Sequence, residues 1–402
     1  MSETNIFGQT TTGLSVWEQP AESVLEGGAF DVAIVGGGLA GLALSIQLAK
    51  AGYSVAVFEK EKYPFHKVCG EYISFESWNF LEESGVPLSD WNLPVIKRLL
   101  VSAPDGTYLE QELPLGGFGI SRFKLDASLA EIAQSAGVQI FEQTKVNDII
   151  FKKSLFRIHT YPVSYRARLV CCSFGKRSNL DIKWKRKFTL QKNNKLNNYI
   201  GVKYHIQTDF PSDLIALHNF SGGYCGISQI EENKYCLCYL TTAKNLQSNG
   251  NSIKNMEKNI LQSNPYLAKI FSSSFFLNDQ PVTISQISFE KKSQVEAHIL
   301  FIGDAAGMIT PLCGNGMSIA LHSSKIAFEC ILPFLQGKID RHEMEQYYTD
   351  KWHQQFNKRI RTGRFIQGFF GNRILANFLI RSLKPFPMFI NWLIRQTHGQ
   401  PF

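Results

Sequence analysis

The sequence has no CxxC pair and no Cys/His cluster at zinc spacing, although it holds eight cysteines: Cys69, Cys171, Cys172, Cys225, Cys236, Cys238, Cys313 and Cys330. A zinc module and a dithiol redox motif are thereby excluded. Cys236 and Cys238 alternate along an apparent strand and face one side of it, and the set reads as buried free thiols in a reducing cytosol. Charge is also sparse: 19% of residues are charged against 44% hydrophobic, which excludes a disordered chain. No uninterrupted apolar run is long enough to span a bilayer. The opening stretch, residues 1–28, lacks a basic start and an apolar core, so it reads as a polar tail rather than a secretory signal. Acids are missing from one end altogether. From Lys351 to Phe402 there are nine Lys/Arg and no Asp/Glu, so of a net charge of +8 the first 350 residues carry about −1. No nucleic-acid motif accompanies that charge, and nucleic acid is not an expected partner. The expected location is cytoplasmic, with membrane association as the alternative that the basic tail raises.

The 402 residues are ample for a large core. The first motif in them starts at Phe30, in FDVAIVGGGLAGLALSIQLAKAGYSVAVFEKE. Asp31 to Val35 is a short β-rich run, Gly36, Gly38 and Gly41 form GxGxxG, and Leu39 and Ala40 open an apolar helix. YSVAVFE is the next strand, with Glu59 at its end, eighteen residues past Gly41. Gly36 permits the tight turn, Gly38 lets backbone approach a pyrophosphate, and Gly41 allows close helix–strand packing. The helix start offers free N–H groups and a positive dipole to phosphates, and Glu59 is placed to accept from an adenosine ribose. A lone GxGxxG is a weak signal. Here strand, glycines, helix, strand and acid occur in the required order, which predicts a dinucleotide site but does not separate NAD from FAD.

The stretch FIGDAAGMITPLCGNGMS makes that separation. Asp304 ends a strand beside Gly303, and glycines follow that let backbone crowd a ligand. A helix starts near Gly314–Gly316, its N-terminus suited to negative charge on the N1–C2=O edge of a reduced flavin, while Asp304 is placed to hold a polyol chain. A second glycine-rich strand–helix junction so far from the first implies a long, two-ended cofactor.

With these segments on the page, the chain resembles the superfamily of FAD-dependent monooxygenases and geranylgeranyl reductases, flavoproteins with a p-hydroxybenzoate-hydroxylase-like fold related to flavin-dependent halogenases. The resemblance is carried by VAIVGGGLAGLALSIQLAKAGYSVAVFEK, HKVCGEYIS, SRFKLDASLAEIAQSAGVQI and FIGDAAGMITPLCGNGMS, in order over about residues 30–335. It implies α/β architecture: a Rossmann-like FAD-binding domain, an inserted antiparallel-sheet substrate domain and a C-terminal helical region. The expected boundaries are 29–95, 122–180 and 291–335 for the FAD-binding domain, 96–121 and 181–290 for the substrate domain, and 336–402 for the basic helical region. The resemblance assigns the ribityl chain to Asp304 and the isoalloxazine to the helix start at Pro311, Gly314, Asn315, Gly316 and Met317. It places a basic residue near the FAD phosphates or ribose, for which Lys67 is the match and Lys60 the alternative. Cys69 and Gly70 look like the CG pair beside the flavin in reductases and halogenase-like members. Cys69 reads as a small residue packed near the cofactor, since no resolving cysteine follows at useful spacing, and His66 as structural. Arg122 is either the family's FAD-contacting arginine or the partner of Asp126 one turn on.

Two departures are visible. Hydroxylases of the family carry an Asp-Gly pair where this chain has Phe174-Gly175, then Lys176 and Arg177. Docking of NAD(P)H, the expected transient electron donor, is weakened by that loss, though Lys176 and Arg177 are placed to meet a phosphate. The WxWxIP motif of halogenases is absent from the six tryptophans. Between Asp181 and Glu290, five segments read as strands, interrupted by helix in KNLQSNGNSIKNMEKNILQSNPYLAKIF, and the basic stretch Lys183–Lys195 reads as a solvated face. Tyr224 is a candidate substrate contact. No Ser/His/Asp or metal constellation emerges. The expectation is therefore a monooxygenase that hydroxylates a hydrophobic aromatic, quinone-like or polyketide-like compound with O2 through a flavin C4a-hydroperoxide. An isoprenoid or lipid C=C reductase is the alternative, then a halogenase. The tail reads as a helical cap on the substrate domain or as a peripheral membrane contact.

Overall fold

The computed structural model describes residues 25–190, 198–309, 314–368, 370–397 and 399–402. The first strand, β1 (Leu25–Val35), is followed by α1 (Leu39–Lys50) and β2 (Val55–Phe58). The last four residues of β1 and all of β2 are buried, as expected of strands covered on both faces. β1 runs parallel to β2 on one side and to Val163–Cys172 on the other, with a register shift between Glu26 and Ala29. Gln139–Phe141 extends the sheet beyond β2, and Ile299–Phe301 extends it beyond Val163–Cys172, both in parallel. The strands Asp148–Lys152, Leu155–His159 and Val295–Glu296 complete eight strands with antiparallel pairs. This is the Rossmann-like layer, and α1 lies on it with Leu42, Leu44, Ile46 and Leu48 fully buried.

The second layer is a nine-stranded sheet. The strand-like segments of the insert form Tyr199–Gln207, Leu214–Phe220, Gly223–Gln229, Tyr235–Thr242 and Val282–Ile287. Helices Ala243–Gln247, Ile253–Asn259 and Pro265–Ser273 interrupt them as the sequence predicts. The sheet is mixed rather than purely antiparallel, because Leu214–Phe220 pairs in parallel with Val95–Ser102. Tyr72–Ser74 joins its far edge through Tyr108–Gly119.

Gly316–Leu335 crosses the molecule as a 20-residue helix. It is long and apolar enough by length and composition to cross a membrane. Here its apolar residues belong to the main core together with those of α1 and of Arg341–Gln367, so it is a core helix. Arg341–Gln367 starts in a capping box formed by Asp340 and Glu343. Two short helices follow, Arg373–Leu383 and Pro387–Thr397, and the break between them falls at the prolines, as predicted.

The tail helices are apolar on two sides. Ala376, Ile380, Ile390 and Ile394 are buried against the second sheet, in one cluster with Tyr72, Leu217 and Leu240 for the three isoleucines. Ile374, Phe378, Met388 and Trp392 are exposed. The cap expected from the sequence is therefore present, and it carries a second, uncovered apolar face.

Candidate functional site

At the end of β1 the glycines divide the work as their spacing predicts. Gly36 has φ +106°, and a Cβ there would lie 2.7 Å from the Phe174 backbone. At Gly41 a Cβ would run into the Gly36 carbonyl, so α1 packs against the strand end only with glycine present. Gly38 differs: the nearest groups to its Cβ position are Arg122 Nη2 at 3.5 Å and Lys67 Nζ at 3.6 Å. The loop that would receive a pyrophosphate thus opens onto two cations. Leu39 and Ala40 are buried in the first turn of α1. Glu59 is buried, with Oε2 accepting from Gly37 N at 2.9 Å and Oε1 from Glu61 N at 3.1 Å. A carboxylate has about four acceptor positions, so capacity remains for a ribose.

Of the two readings of Arg122, its ion pair with Asp126 is observed. Its Nε and Nη2 donate to the two oxygens of Asp126 at 2.7 Å each, and Lys67 Nζ reaches the same carboxylate at 3.0 Å. Burial favours the neutral acid at Asp126, but Arg122 and Lys67 outweigh it and hold the carboxyl below its usual range. The pair of cations is thereby fixed beside Gly38. Lys60 points elsewhere, exposed and 3.4 Å from Glu61. Lys176 Nζ is spent on the Val68 carbonyl at 2.9 Å.

At the second junction Gly303 has φ +59°, and its N–H donates to Ser323 Oγ at 2.9 Å. Asp304 is half-buried, and its carboxylate has no hydrogen-bond partner among the described residues. Gly314 has φ +63° and faces the Tyr72 ring, while Gly316, at the helix start, faces open space. Asn315 is fully buried; its Nδ2 donates to the Thr397 carbonyl at 2.8 Å, and its Oδ1 has no partner among the described residues. Met317 is buried behind it. Pro311 lies outside the described residues. Tyr224 is buried with Phe370 edge-on at 6.3 Å, in the apolar cluster that also holds Tyr72, Phe289 and Met308.

Two parts of this region escape sequence reasoning. Three successive carbonyls of the Asp304 turn are held by buried side chains. Lys292 Nζ donates to Asp304 O at 2.9 Å, Arg186 Nη1 to Ala305 O at 3.1 Å, and Gln294 Nε2 to Ala306 O at 2.9 Å. Of the solvated face expected over Lys183–Lys195, Lys183, Lys185 and Lys187 are exposed and residues 191–195 lie outside the described residues, but Arg186 is fully buried, paired with Asp181 and Glu296, and lies over the Phe301 ring. The other part adjoins Cys69 and Gly70. Glu71, in a left-handed conformation at φ +55°, is fully buried and accepts from Lys203 Nζ at 2.7 Å, His205 Nε2 at 2.5 Å and Arg122 N at 2.9 Å. Burial favours its neutral form, but His205 and Lys203 prevail and hold its pKa far below the usual value. Cys236 lies close enough to Glu71 and His205 for a metal site, and its thiol donates to the Cys69 carbonyl at 3.2 Å. The Lys203 ammonium already occupies that carboxylate, so the cluster is a buried ion-pair network joining the second sheet to the CG turn. The only sequence signal for it is a Lys and a His on a strand otherwise apolar enough to be buried.

These residues fit FAD. The anion-facing loop at Gly38, the unpartnered carboxylate of Asp304, the open Gly316 and the orphaned Oδ1 of Asn315 are complementary to a cofactor with a pyrophosphate, a polyol and a polar ring.

The comparisons with known proteins agree. The family described as FAD dependent oxidoreductase matches residues 31–67, the β1–α1–β2 unit with its glycines and Lys67. A conditioned medium factor receptor 1 from Dictyostelium discoideum is 25% identical over 360 residues, covering 81% of this chain and 68% of the relative. Digeranylgeranylglycerophospholipid reductase 2 of Methanopyrus kandleri is 25% identical over 353 residues, with 83% and 84% covered. Among solved structures, a geranylgeranyl bacteriochlorophyll reductase-like protein of Thermoplasma acidophilum superposes with a TM-score of 0.76 at 18% identity, over 94% of this chain and 97% of that one. Flavin-dependent halogenases and an FAD-dependent monooxygenase share the fold as well. Glycine loop, cationic pair and aspartate turn lead to one conclusion: this chain is built as an FAD-dependent oxidoreductase, similar over most of its length to digeranylgeranylglycerophospholipid reductases and sharing its fold with flavin-dependent halogenases and an FAD-dependent monooxygenase.

Proposed function

We propose that this protein uses FAD to transform a lipophilic small molecule, with hydroxylation of an aromatic, quinone-like or polyketide-like compound as the first reading, O2 as co-substrate and NAD(P)H as the transient electron donor. The observation that carries the lipophilic substrate is the apolar cluster beside the Asp304 turn. Tyr72, Phe289 and Met308 meet Ile380, Ile390 and Ile394 of the tail there. FAD, when bound, supplies the redox chemistry. The chain's own residues position it: Arg122, Lys67 and the Gly38 backbone take the phosphates, Glu59 the ribose, and Asp304 the ribityl chain. The helix start at Gly316 favours negative charge on the ring. The apolar cluster keeps water from the reacting carbon.

A second reading, saturation of isoprenoid or lipid C=C bonds, is supported by digeranylgeranylglycerophospholipid reductases that match four-fifths of the chain. In both readings the tail rests on an anionic membrane and admits substrate from it. The uncovered apolar face supports this, as does the absence of any acid after Asp350. The deciding experiment supplies the FAD-loaded protein with NADPH or dithionite and a panel of quinones, polyketides and polyprenyl lipids. Mass spectrometry then reads a gain of one oxygen against a gain of two hydrogens. Ligand-independent NADPH oxidation with no modified product under either reductant would defeat both readings.

A further inference from the structure

Residues 397–402 return to the start of the helix Gly316–Leu335, and buried charge fixes them there. Asn315 is the N-cap of that helix, yet its side chain makes no capping hydrogen bond. It donates instead to the Thr397 carbonyl at 2.8 Å, at the end of the tail helix Pro387–Thr397. The same carbonyl accepts from Arg359 Nε at 3.2 Å, and Arg359 Nη2 donates to Glu76 Oε1 at 2.8 Å. Glu76 is fully buried and Arg359 nearly so. Segments far apart in the chain thus converge around one guanidinium: the turn Phe75–Ser77, the N-cap Asn315, the helix Arg341–Gln367 and the end of the tail.

Residues 399–402 close over this pair. A Cβ at Gly399 would lie 1.7 Å from Glu76 Oε2 and 2.6 Å from Arg359 Nη1, so the backbone passes there only as glycine. The Phe402 N–H donates to the Glu76 carbonyl at 3.3 Å. The Phe402 ring stacks on His322, further along the helix that Asn315 caps, with centroids 4.0 Å apart. Burial holds the Glu76 carboxyl above its usual range, and Arg359 is the group that most opposes it. Desolvation offsets much of the attraction in such a pair, so its contribution to stability is small. What it enforces is geometry. A guanidinium presents its donors in one rigid plane, so Glu76 and the Thr397 carbonyl are held in a fixed relation. A carbonyl only accepts, so Asn315 must turn its amide NH2 toward Thr397, and the orientation of its side chain is set.

We infer that Arg359 and Glu76 are positioning residues for the flavin ring, acting through the Thr397 carbonyl on Asn315. The inference rests on the proposed placement of the ring at Asn315 and Gly316, and it does not depend on which reaction the flavin performs. It gives the tail a part in the FAD site besides capping the second sheet, because the helix Pro387–Thr397 ends on the group that orients Asn315. The residues proposed for the adenosine half, Gly38, Arg122, Lys67 and Glu59, share no hydrogen bond or ion pair with this network among the described residues. A disturbance of Arg359 should therefore reach one half of the cofactor and leave the other.

The test uses the FAD-loaded full chain. Flavin release on dilution, followed by fluorescence, gives the Kd for FAD, and displacement of FAD by ADP gives the Kd for ADP. Arg359→Lys keeps the charge but loses the planar fork that spans Glu76 and the Thr397 carbonyl. Gly399→Ala drives a methyl group into the ion pair. Each is expected to raise the Kd for FAD about three- to tenfold, the size of one lost hydrogen bond, and to leave the Kd for ADP within about twofold. Each is also expected to shift the visible absorption of the bound flavin. If either variant does not fold, Arg359→Met together with Glu76→Gln removes both charges at once and is read in the same way. A merely structural role gives a different result: a lower melting temperature with the flavin spectrum of the parent, and FAD and ADP either unchanged or weakened by one common factor. That result overturns the inference. A parent chain that binds FAD no more tightly than ADP overturns it at its base, by removing the ring placement on which it rests.

Discussion

Replacing Asp304 by alanine separates a ligand-binding role from a structural one. The Asp304 side chain has no hydrogen-bond partner within the described protein. The turn beneath it is instead held through the backbone, by Lys292, Arg186 and Gln294 on three consecutive carbonyls. Truncation therefore removes no hydrogen bond among the described residues. What it costs the apoprotein among the described residues is the attraction between its carboxylate and Lys292, for which Asp181 remains. A substitution of this kind changes stability by about 0.5 kcal/mol or less, a melting shift of about 1–2 °C at most. On the proposed assignment, the same carboxylate would accept from a ribityl hydroxyl once FAD is bound. A hydrogen bond to a charged group contributes about 1.5–3 kcal/mol, so the Kd for FAD should rise about 10- to 150-fold. Asp304→Asn, which keeps an acceptor without the charge, should fall between. The assay is quenching of flavin fluorescence on titration into apoprotein, with apoprotein melting curves alongside. An Asp304→Ala apoprotein that melts more than about 5 °C lower while binding FAD as tightly as the parent would refute the reasoning, because the carboxylate would then be part of the fold.

Heat should release FAD rather than FMN from the purified protein, since the roles proposed for Gly38, Arg122, Lys67 and Glu59 need an adenosine diphosphate half; chromatography of the supernatant reads the outcome, and FMN would remove the role of that loop. Glu71→Gln should destabilise the protein by about 3–5 kcal/mol, because it leaves Lys203 buried without its counter-charge, and Lys203→Met in the same background should recover part of the loss. The native Glu71 pKa, near 2, lies below its unfolded value near 4.5, so the unfolded state binds the proton more readily. The stability it contributes is complete above about pH 5 and disappears as pH falls toward 2; urea midpoints across that window should be flatter in Glu71→Gln than in the parent. For the tail, vesicles with anionic lipid should co-sediment the protein and neutral vesicles should not, each basic residue near the surface adding about 1 kcal/mol. Salt near 1 M, where screening acts within about 3 Å, or serine at Phe378, Met388 and Trp392 should release it, and sedimentation that ignores charge, salt and these substitutions would leave the tail as a cap alone.

What the sequence alone determined is local. The glycine turn from Gly36 to Gly41, the strand before it, the helix after it and Glu59 beyond obey spacings set by the pitch of a helix and the geometry of one turn. The same holds for the Asp304 turn, the strands of the insert and the break at Pro385–Pro387. What only the tertiary structure decided is which distant polar groups meet where water is excluded. Arg186 stands 119 positions from the Ala305 carbonyl it holds, and Lys203 stands 132 from Glu71. In the chain each is a basic residue, one of them in a basic stretch. A charged side chain tolerates burial only when its partners converge on it from other elements, and no periodicity in the chain records that convergence. The four cations around Trp352, Lys291 and Lys292 on a loop and Arg361 and Arg364 on a helix, stand 69 to 73 positions apart, and the order of residues contains no sign that they share one cavity.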